Sequence, residues 1–407
     1  MKKTKIIFLI LFLGFFYPFH SFSEIIKQKK TTDENSNFNV FLDYSNGFNF
    51  VVRKEFSEET RFSGNYLNLE VKGKANDKIS YRFTKQLIKK TDYENYDMLD
   101  LAYLKYKWND KLYFLFGKQP FSFGSMEYAS GSSSYEHVYR YPHVYKKKKN
   151  EIGFSFIYHP IKDHELQFQV VNEMKSEDEN MMNQEINNPM GYSVNWNWSL
   201  NPNHDHYHDH DHDNDNDNDN DNDNDNDNDN DKVIKNRWSY SIFQEHEKKK
   251  YWKLLALGSK LNWKPVTIEA DYILSDEDIE KNRSITYILR LWNRDYYNVA
   301  SVKYGTYLVK LKYNFIPKWN FIAKGVYEIG ISKKGMNNDI LGENKLFKKS
   351  YTYYGGIEFL PIIKNDDISF FIAYKNHILN YGLDQIKKEN KNDHFLILGL
   401  NYRVKMI

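Results

Sequence analysis

The chain has 407 residues, a formal net charge of +2 and no cysteine, which excludes a disulfide framework and a lipid-modified cysteine anchor. Only 41% of residues are hydrophobic although 17% are Phe, Trp or Tyr, an odd combination for a secreted enzyme with a conventional core. The near-neutral charge is a cancellation, because about 13 aspartates lie between Asp205 and Asp231 and the rest of the chain is basic.

In chain order, Lys2, Lys3 and Lys5 precede the apolar run IIFLILFLGFFYPF, and Ser21-Phe22-Ser23 offers small residues before Glu24. This predicts a secretory signal peptide over 1–23, since the run is shorter than the ~20 apolar residues a helical span needs. Residues 24–46 form an N-terminal segment, and no later run is apolar and long enough for a membrane helix.

From residue 47 strand signals recur: GFNFVVRKEF (47–56), FSGNYLNLEVK (62–72), DKISYRFTKQLI (77–88), DMLDLAYLKYKW (97–108) and KLYFLFGK (111–118). In the fourth, Ala102, Leu104, Tyr106 and Trp108 share one face and Tyr103, Lys105 and Lys107 the other, the period of two of a strand with one apolar face. Later pairs turn at proline: IGFSFIYHPIKDHELQFQVV, LGSKLNWKPVTIEADYIL, YLVKLKYNFIPKWNFIAKGVY and GGIEFLPIIKNDDISFFIAYK; the last signal is HFLILGLNYRVK (394–405). Proline is excluded from a central ladder and favoured at turns, so each marks a strand end.

Alternating short turns and long loops gives about sixteen strands over 47–407, with both termini on the short-turn side. An all-β, transmembrane antiparallel barrel explains the composition, because averaging hides an apolar, lipid-facing half. Barrels of 16–18 strands leave an aqueous channel. Residues 119–150 then become the third outer loop; 173–189, 276–300, 331–349 and 377–392 are other outer loops. Parity places the acidic tract on the periplasmic side, where turns are usually short.

The segment LDLAYLKYKWNDKLYFLFGKQPFSFGSMEYASGSS (99–133) resembles the strand, tight turn and strand of the outer-membrane phosphate-selective porins O and P, ending in Gly-Lys-Gln-Pro-Phe before a small-residue stretch. NGFNFVVRKE (46–55), RFSGNYLNLEV (61–71) and KLNWKPVTIEADYIL (260–274) are similar to other hairpins of that family. The resemblance implies a sixteen-stranded, homotrimeric, anion-favouring channel whose third loop folds inward as the constriction, with Gly117, Lys118, Pro120 and Phe121 as the hinge. The family's phosphate-coordinating arginines do not align residue by residue, because this chain prefers lysine. Its end, Lys405-Met406-Ile407, lacks the usual terminal aromatic, although Tyr402 and Val404 keep the outward register.

Pointing each strand's apolar parity outward turns Lys72, Lys78, Arg82, Lys105, Lys107, Lys310, Lys312, Lys324, Arg403 and Lys405 inward. Against them stand Glu70, Glu165, Glu269, Asp271, Glu328 and Glu358, so the lumen is expected to favour anions. Lys72, Lys107 and Lys312, near strand ends, also fit simple interfacial snorkelling. In the third loop Arg140, Lys146, Lys147 and the rest of the run to Lys149 are constriction candidates; arginine offers a planar fork and lysine a point charge. The run also reads as plain loop charge.

His204, His206, His208, His210 and His212, interleaved with aspartates, are weak ligand candidates for a divalent metal. The Asp-Asn repeat lacks the glycine that calcium loops need. A repetitive linker over 204–231 is the simpler reading, and no metal or other cofactor is assigned. Outward Trp108, Trp263, Trp319 and Tyr402 suit an interfacial girdle. His377, Asp384 and scattered serines show no catalytic spacing, and no Walker loop, dinucleotide fingerprint or HExxH occurs. The expectation is a passive aqueous channel in the Gram-negative outer membrane, not an enzyme. Its partners would be outer-membrane lipid and small anionic solutes, phosphate being a candidate, and not nucleic acid. A non-conducting barrel serving as adhesin or anchor is the alternative.

Overall fold

Strands that alternate apolar and polar residues satisfy every backbone group in lipid only if their sheet closes on itself. The computed structural model has this architecture; it describes residues 38–53, 59–88, 100–129, 150–172, 190–200, 234–245, 249–281, 285–286, 289, 300–333, 344–361, 368–382 and 390–406. The strands are β1 (Phe38–Arg53), β2 (Glu59–Asn76), β3 (Ile79–Ile88), β4 (Leu101–Asn109), β5 (Leu112–Pro120), β6 (Asn150–Tyr158), β7 (His164–Asn172) and β8 (Met190–Leu200). They continue with β9 (Ile234–Gln244), β10 (Tyr251–Trp263), β11 (Val266–Glu277), β12 (Val302–Ile316), β13 (Trp319–Ser332), β14 (Leu346–Phe359), β15 (Ile368–Tyr381) and β16 (Lys391–Lys405). Each pairs antiparallel with the next, and β1 closes the barrel on β16 from Phe41↔Lys405 to Arg53↔Asp393.

The barrel begins at Phe38, not at residue 47. The ladder to β2 runs through Ser45-Asn46-Gly47 with a register shift between Ser45 and Asn46, so one strand spans residues 38–53. The expected signal peptide over 1–23 lies outside the described residues.

One end of the barrel carries the tight turns. Asn76 Oδ1 accepts the Lys78 amide and Asn109 Oδ1 the Lys111 amide, each at 2.9 Å, closing two hairpins by side-chain mimicry of a backbone turn. Lys78 therefore sits in a turn and not on the inner wall, a correction to its expected place. At the same end β8 stops at Leu200 and β9 starts at Ile234; the tract between them, 204–231 with its five histidines, lies outside the described residues. Even strand number, tight turns at one end and generally longer connections at the other set the tight-turn end toward the periplasm.

Trp263 and Trp108, 76% and 61% exposed, together with Trp319 and Tyr402, flank that end on the outer surface. Higher up, register sets Tyr272, Tyr307, Tyr327 and Tyr351 side by side across β11–β14, with successive rings 4.9, 6.4 and 5.0 Å apart. Between the two aromatic levels the exposed faces are apolar, among them Ile268, Val309, Phe321 and Ile357. A rise of ~3.3 Å per residue on tilted strands separates the levels by roughly 20 Å, close to the height of a lipid band.

Candidate functional site

The chain after β5 enters the lumen. Gly117 has φ +116°, and a Cβ there would lie 2.3 Å from the Ala102 carbonyl oxygen, so only glycine fits. Lys118 and Gln119 follow, both buried, and the Pro120 carbonyl accepts Gln169 Nε2 of β7 at 2.9 Å. The Ser122 amide donates to Gln169 Oε1 (2.8 Å), Ser193 Oγ to the Ser122 carbonyl (2.8 Å) and the Gly124 amide to Ser239 Oγ (2.7 Å). A one-turn helix, α1 (Met126–Ala129), comes next.

The start of α1 is capped from across the barrel. The Asp271 carboxylate of β11 accepts Ser125 Oγ (2.7 Å) and the amides of Met126 (2.7 Å) and Glu127 (3.0 Å), supplying acceptors that a helix start lacks. The backbone can come this close because Gly258 faces it: a Cβ there would sit 2.7 Å from both the Gly124 oxygen and the Met126 nitrogen. Glu127 in turn takes the ammonium of Lys324 from β13.

Two rings fix the same loop by burial. Phe121 and Phe123 pack with Val171, Phe243, Trp252, Leu254, Ala256, Ile273, Leu308 and Val326, which are inward-facing residues of β7 and β9–β13. Phe121 lies 4.9 Å from the Phe243 ring, and Phe243 stacks on Trp252 at 4.6 Å. This is an apolar core inside the barrel, each Phe contributing about 1.5–3 kcal/mol of burial. The sequence signal was present but not read: YWKLLAL is apolar on both faces, as in a strand covered on both sides.

Lys310 and Lys324, expected on the anion path, are 5% and 8% exposed. Lys310 meets Glu269 at 3.2 Å, shared with Lys260 at 3.5 Å, and Lys324 is held by Glu127. Strand parity gave their direction, inward, but not the loop and the carboxylates waiting there.

At the outer end the residues after β11 build a second covered patch. Glu280, fully buried, accepts the amides of Ile285 (2.9 Å) and Thr286 (2.8 Å), Thr286 Oγ1 (2.6 Å) and Tyr304 OH (2.9 Å). Ile285, Leu289 and Ala300 then close over Val302, Tyr304, Phe347 and Tyr381. Lys333, just past β13, bridges Asp276 and Asp278, the latter at 2.6 Å. Burial alone would raise Asp278 and lower Lys333; hydrogen bonds from Lys333 and the Tyr251 amide outweigh it for Asp278, leaving its carboxyl below its ordinary range, and hydrogen bonds and attraction to Asp276 and Asp278 outweigh it for Lys333, leaving its ammonium above its own.

The wall of β15, β16 and β1–β5 is lined differently. Glu70 of β2 lies between two guanidiniums, Arg82 Nε and an Arg403 terminal nitrogen each at 3.0 Å, and Arg403 also approaches Asp43 at 3.4 Å. Cations lie over rings: Lys72 and Arg403 over Phe41 (5.1 and 4.5 Å), Lys105 over Tyr113 (4.9 Å) and Lys375 over Phe395 (5.2 Å). Lys107 pairs with Asp110 at 3.1 Å, and Lys74, Lys78, Lys105 and Lys107 converge with Tyr113 on a recess at the periplasmic mouth. Lys312 meets Glu358 at 3.8 Å. Arg82, Arg403, Lys105 and Lys107 are thus brought to one side, whereas Arg140 and Lys146 to Lys149 lie outside the described residues, as does the side chain of Lys405. His377, whose spacing gave no catalytic motif, meets Thr352 Oγ1 at 2.9 Å, and Asp384 lies outside the described residues.

A family model described as phosphate-selective porin O and P matches residues 35–402. Among solved structures, the outer membrane channel DcaP of Acinetobacter baumannii is similar with TM-score 0.60 at 10% identity, over 92% of this chain and 99% of that chain. Salmonella typhi OmpF in complex with daunomycin gives 0.59 at 11% identity, over 92% and 99%. An anion-selective porin from Comamonas acidovorans gives 0.52 at 9% identity, over 91% and 100%. At such identities the likeness concerns the fold. No curated protein matches the sequence.

Proposed function

The chain belongs to the family of phosphate-selective porins O and P, and on that premise we propose that this outer-membrane channel is a passive, weakly anion-favouring path for small hydrophilic solutes, phosphate among them. The observation that carries the reading is the inequality of the two walls. The inward loop seals the side of β7–β13 with apolar residues, and the opposite side holds Arg82, Arg403, Lys72, Lys105, Lys107 and Lys375.

Solutes are displaced from the apolar core toward these cations. Neighbouring carboxylates such as Glu70 and Asp43 temper the field, which suits a path an anion must leave as easily as it enters. In this reading Gly117 and Pro120 send the third loop inward, and Phe121 pins it. A homotrimeric assembly is part of the same proposal.

Reconstitution of the refolded chain in a planar bilayer under a salt gradient tests it. Stepwise conductance with an anion-biased reversal potential is expected, and added phosphate should reduce the current. Arg82→Gln with Arg403→Gln should move the reversal potential toward zero. A cation bias would overturn the charge argument. A silent bilayer, given a verified folded barrel, would overturn the channel and favour an adhesin or anchor.

A further inference from the structure

The barrel exterior above the tyrosine row is uneven in charge. Lys253 of β10, Lys303 of β12 and Lys349 of β14 are all exposed and lie on the outward parity of their strands, with Tyr251, Tyr307 and Tyr353. Register joins them: Lys253 stands opposite Asp276, Asp276 opposite Lys303, and Lys349 opposite Ile329 two strands on from Gly305. Strand spacing and rise put Lys253 about 10 Å from Lys303 and Lys303 about 12 Å from Lys349. Two acids lie among them: Asp276, 4.0 Å from Lys303, and Asp278, near Lys253, with Lys333 bound to both, so the four lysines outnumber the acids by two.

Outward residues described at the same height elsewhere are of another kind: Asn172 of β7, Tyr192 of β8, Gln244 of β9, Asn380 of β15 and His394 of β16. The lysines also sit just above Tyr272, Tyr307, Tyr327 and Tyr351, Lys349 being two residues from Tyr351 and Lys303 four from Tyr307. A tyrosine row marks where acyl chain gives way to headgroup, so the ammonium groups stand at headgroup height on the outer leaflet.

We propose that the outer face of β10–β14 is a docking surface for a phosphorylated glycolipid of the outer leaflet, its phosphates held by Lys253, Lys303 and Lys349 and its chains lying along the tyrosine row and the apolar band beneath. Charge complementarity and height select this occupant: the surface offers cations at one level and apolar area directly below, the layout of an anionic amphiphile. The proposal rests on the outer-membrane placement and not on conduction, and its test is read without current.

The full chain and its Lys253→Gln/Lys303→Gln/Lys349→Gln variant, each confirmed as a heat-modifiable barrel, are exchanged into phosphatidylcholine vesicles containing bisphosphorylated lipid A or its dephosphorylated form. Lipid retained after detergent extraction is counted by native mass spectrometry. Retention of the phosphorylated form is expected, falling roughly fivefold per lysine removed, with Lys85→Gln on β3 leaving it unchanged and inorganic phosphate failing to displace it. Equal retention of the dephosphorylated lipid, displacement by inorganic phosphate alone, or a triple variant that changes oligomeric state with lipid retention unaltered would each overturn it.

Discussion

Replacing Asp271 by alanine removes the acceptor on which the inward loop is anchored. Three donors, Ser125 Oγ and the Met126 and Glu127 amides, converge on it within 3.0 Å, and hydrogen bonds to a charged group are worth about 1.5–3 kcal/mol each when made in place. The freed donors recover much of this from water once the loop lifts, and Glu127 keeps Lys324 without a second carboxylate beside it. The net loss is about 3–5 kcal/mol. What still holds the loop is the burial of Phe121 and Phe123, about 3–6 kcal/mol together, and the hydrogen bonds of Pro120, Ser122 and Gly124 to Gln169, Ser193 and Ser239. Losing the anchor therefore raises the ratio of lifted to seated loop by roughly two to four orders of magnitude, while leaving the sixteen-strand ladder intact. Single-channel recording should show flicker between two conductance levels, the higher one new, with Asp271→Asn intermediate. Ser125→Ala should have a smaller effect in the Asp271→Ala background than in the wild type, because its partner is already gone. A quiet trace at the wild-type conductance from a folded Asp271→Ala barrel would refute the anchoring argument.

Gly117→Ala should sharply lower the yield of heat-modifiable barrel, since its Cβ would sit 2.3 Å from a backbone oxygen at φ +116°, whereas Gly355→Ala, with nothing within 4 Å, should fold normally; equal yields would be inconsistent with this. The Asp278–Lys333 contact should be pH-limited at both ends. A depressed Asp278 stabilises above its unfolded value of ~3.9 and loses that contribution as pH falls through its folded value; a raised Lys333 stabilises below ~10.4 and loses it as pH rises through its own. Protection of the Tyr251 amide, which donates to Asp278 at 2.8 Å, should therefore hold across neutral pH and fall at both extremes after correction for intrinsic exchange, and Lys333→Met should remove the alkaline loss. Deleting residues 204–231 should leave folding and conductance unchanged, because β8 and β9 already pair from Gly191↔Phe243 to Leu200↔Ile234; a lost channel would show that the tract acts in conduction.

Much of the lumen was legible because side-chain direction in a strand is a local property. Arg82, Lys105, Lys107 and Arg403 could be turned inward from alternation alone, and the gap between the strands 97–108 and 111–118 marked the turn at Asn109; the turn at Asn76 was hidden inside a strand signal, which misplaced Lys78. The start of the barrel was not legible, since residues 38–46 become strand only through their pairing with β2 and β16. Lys310 and Lys324 misled differently: their direction was right, but the third loop and the carboxylates of Glu269 and Glu127 occupy the space in front of them.

The sequence by itself determined that this chain would be a barrel of alternating strands, which face of each strand meets lipid, and which loop is the third. Only the tertiary structure decided what each inward residue meets. Glu70 and Arg403 are 333 positions apart and touch because closure lays β16 beside β1, whose other neighbour is β2, and Asp271 caps a loop from more than a hundred residues away. Alternation is set by backbone geometry within a few residues, so it is written locally. The partner across a lumen is set by closure, shear and the path of a loop, which no window of the sequence contains.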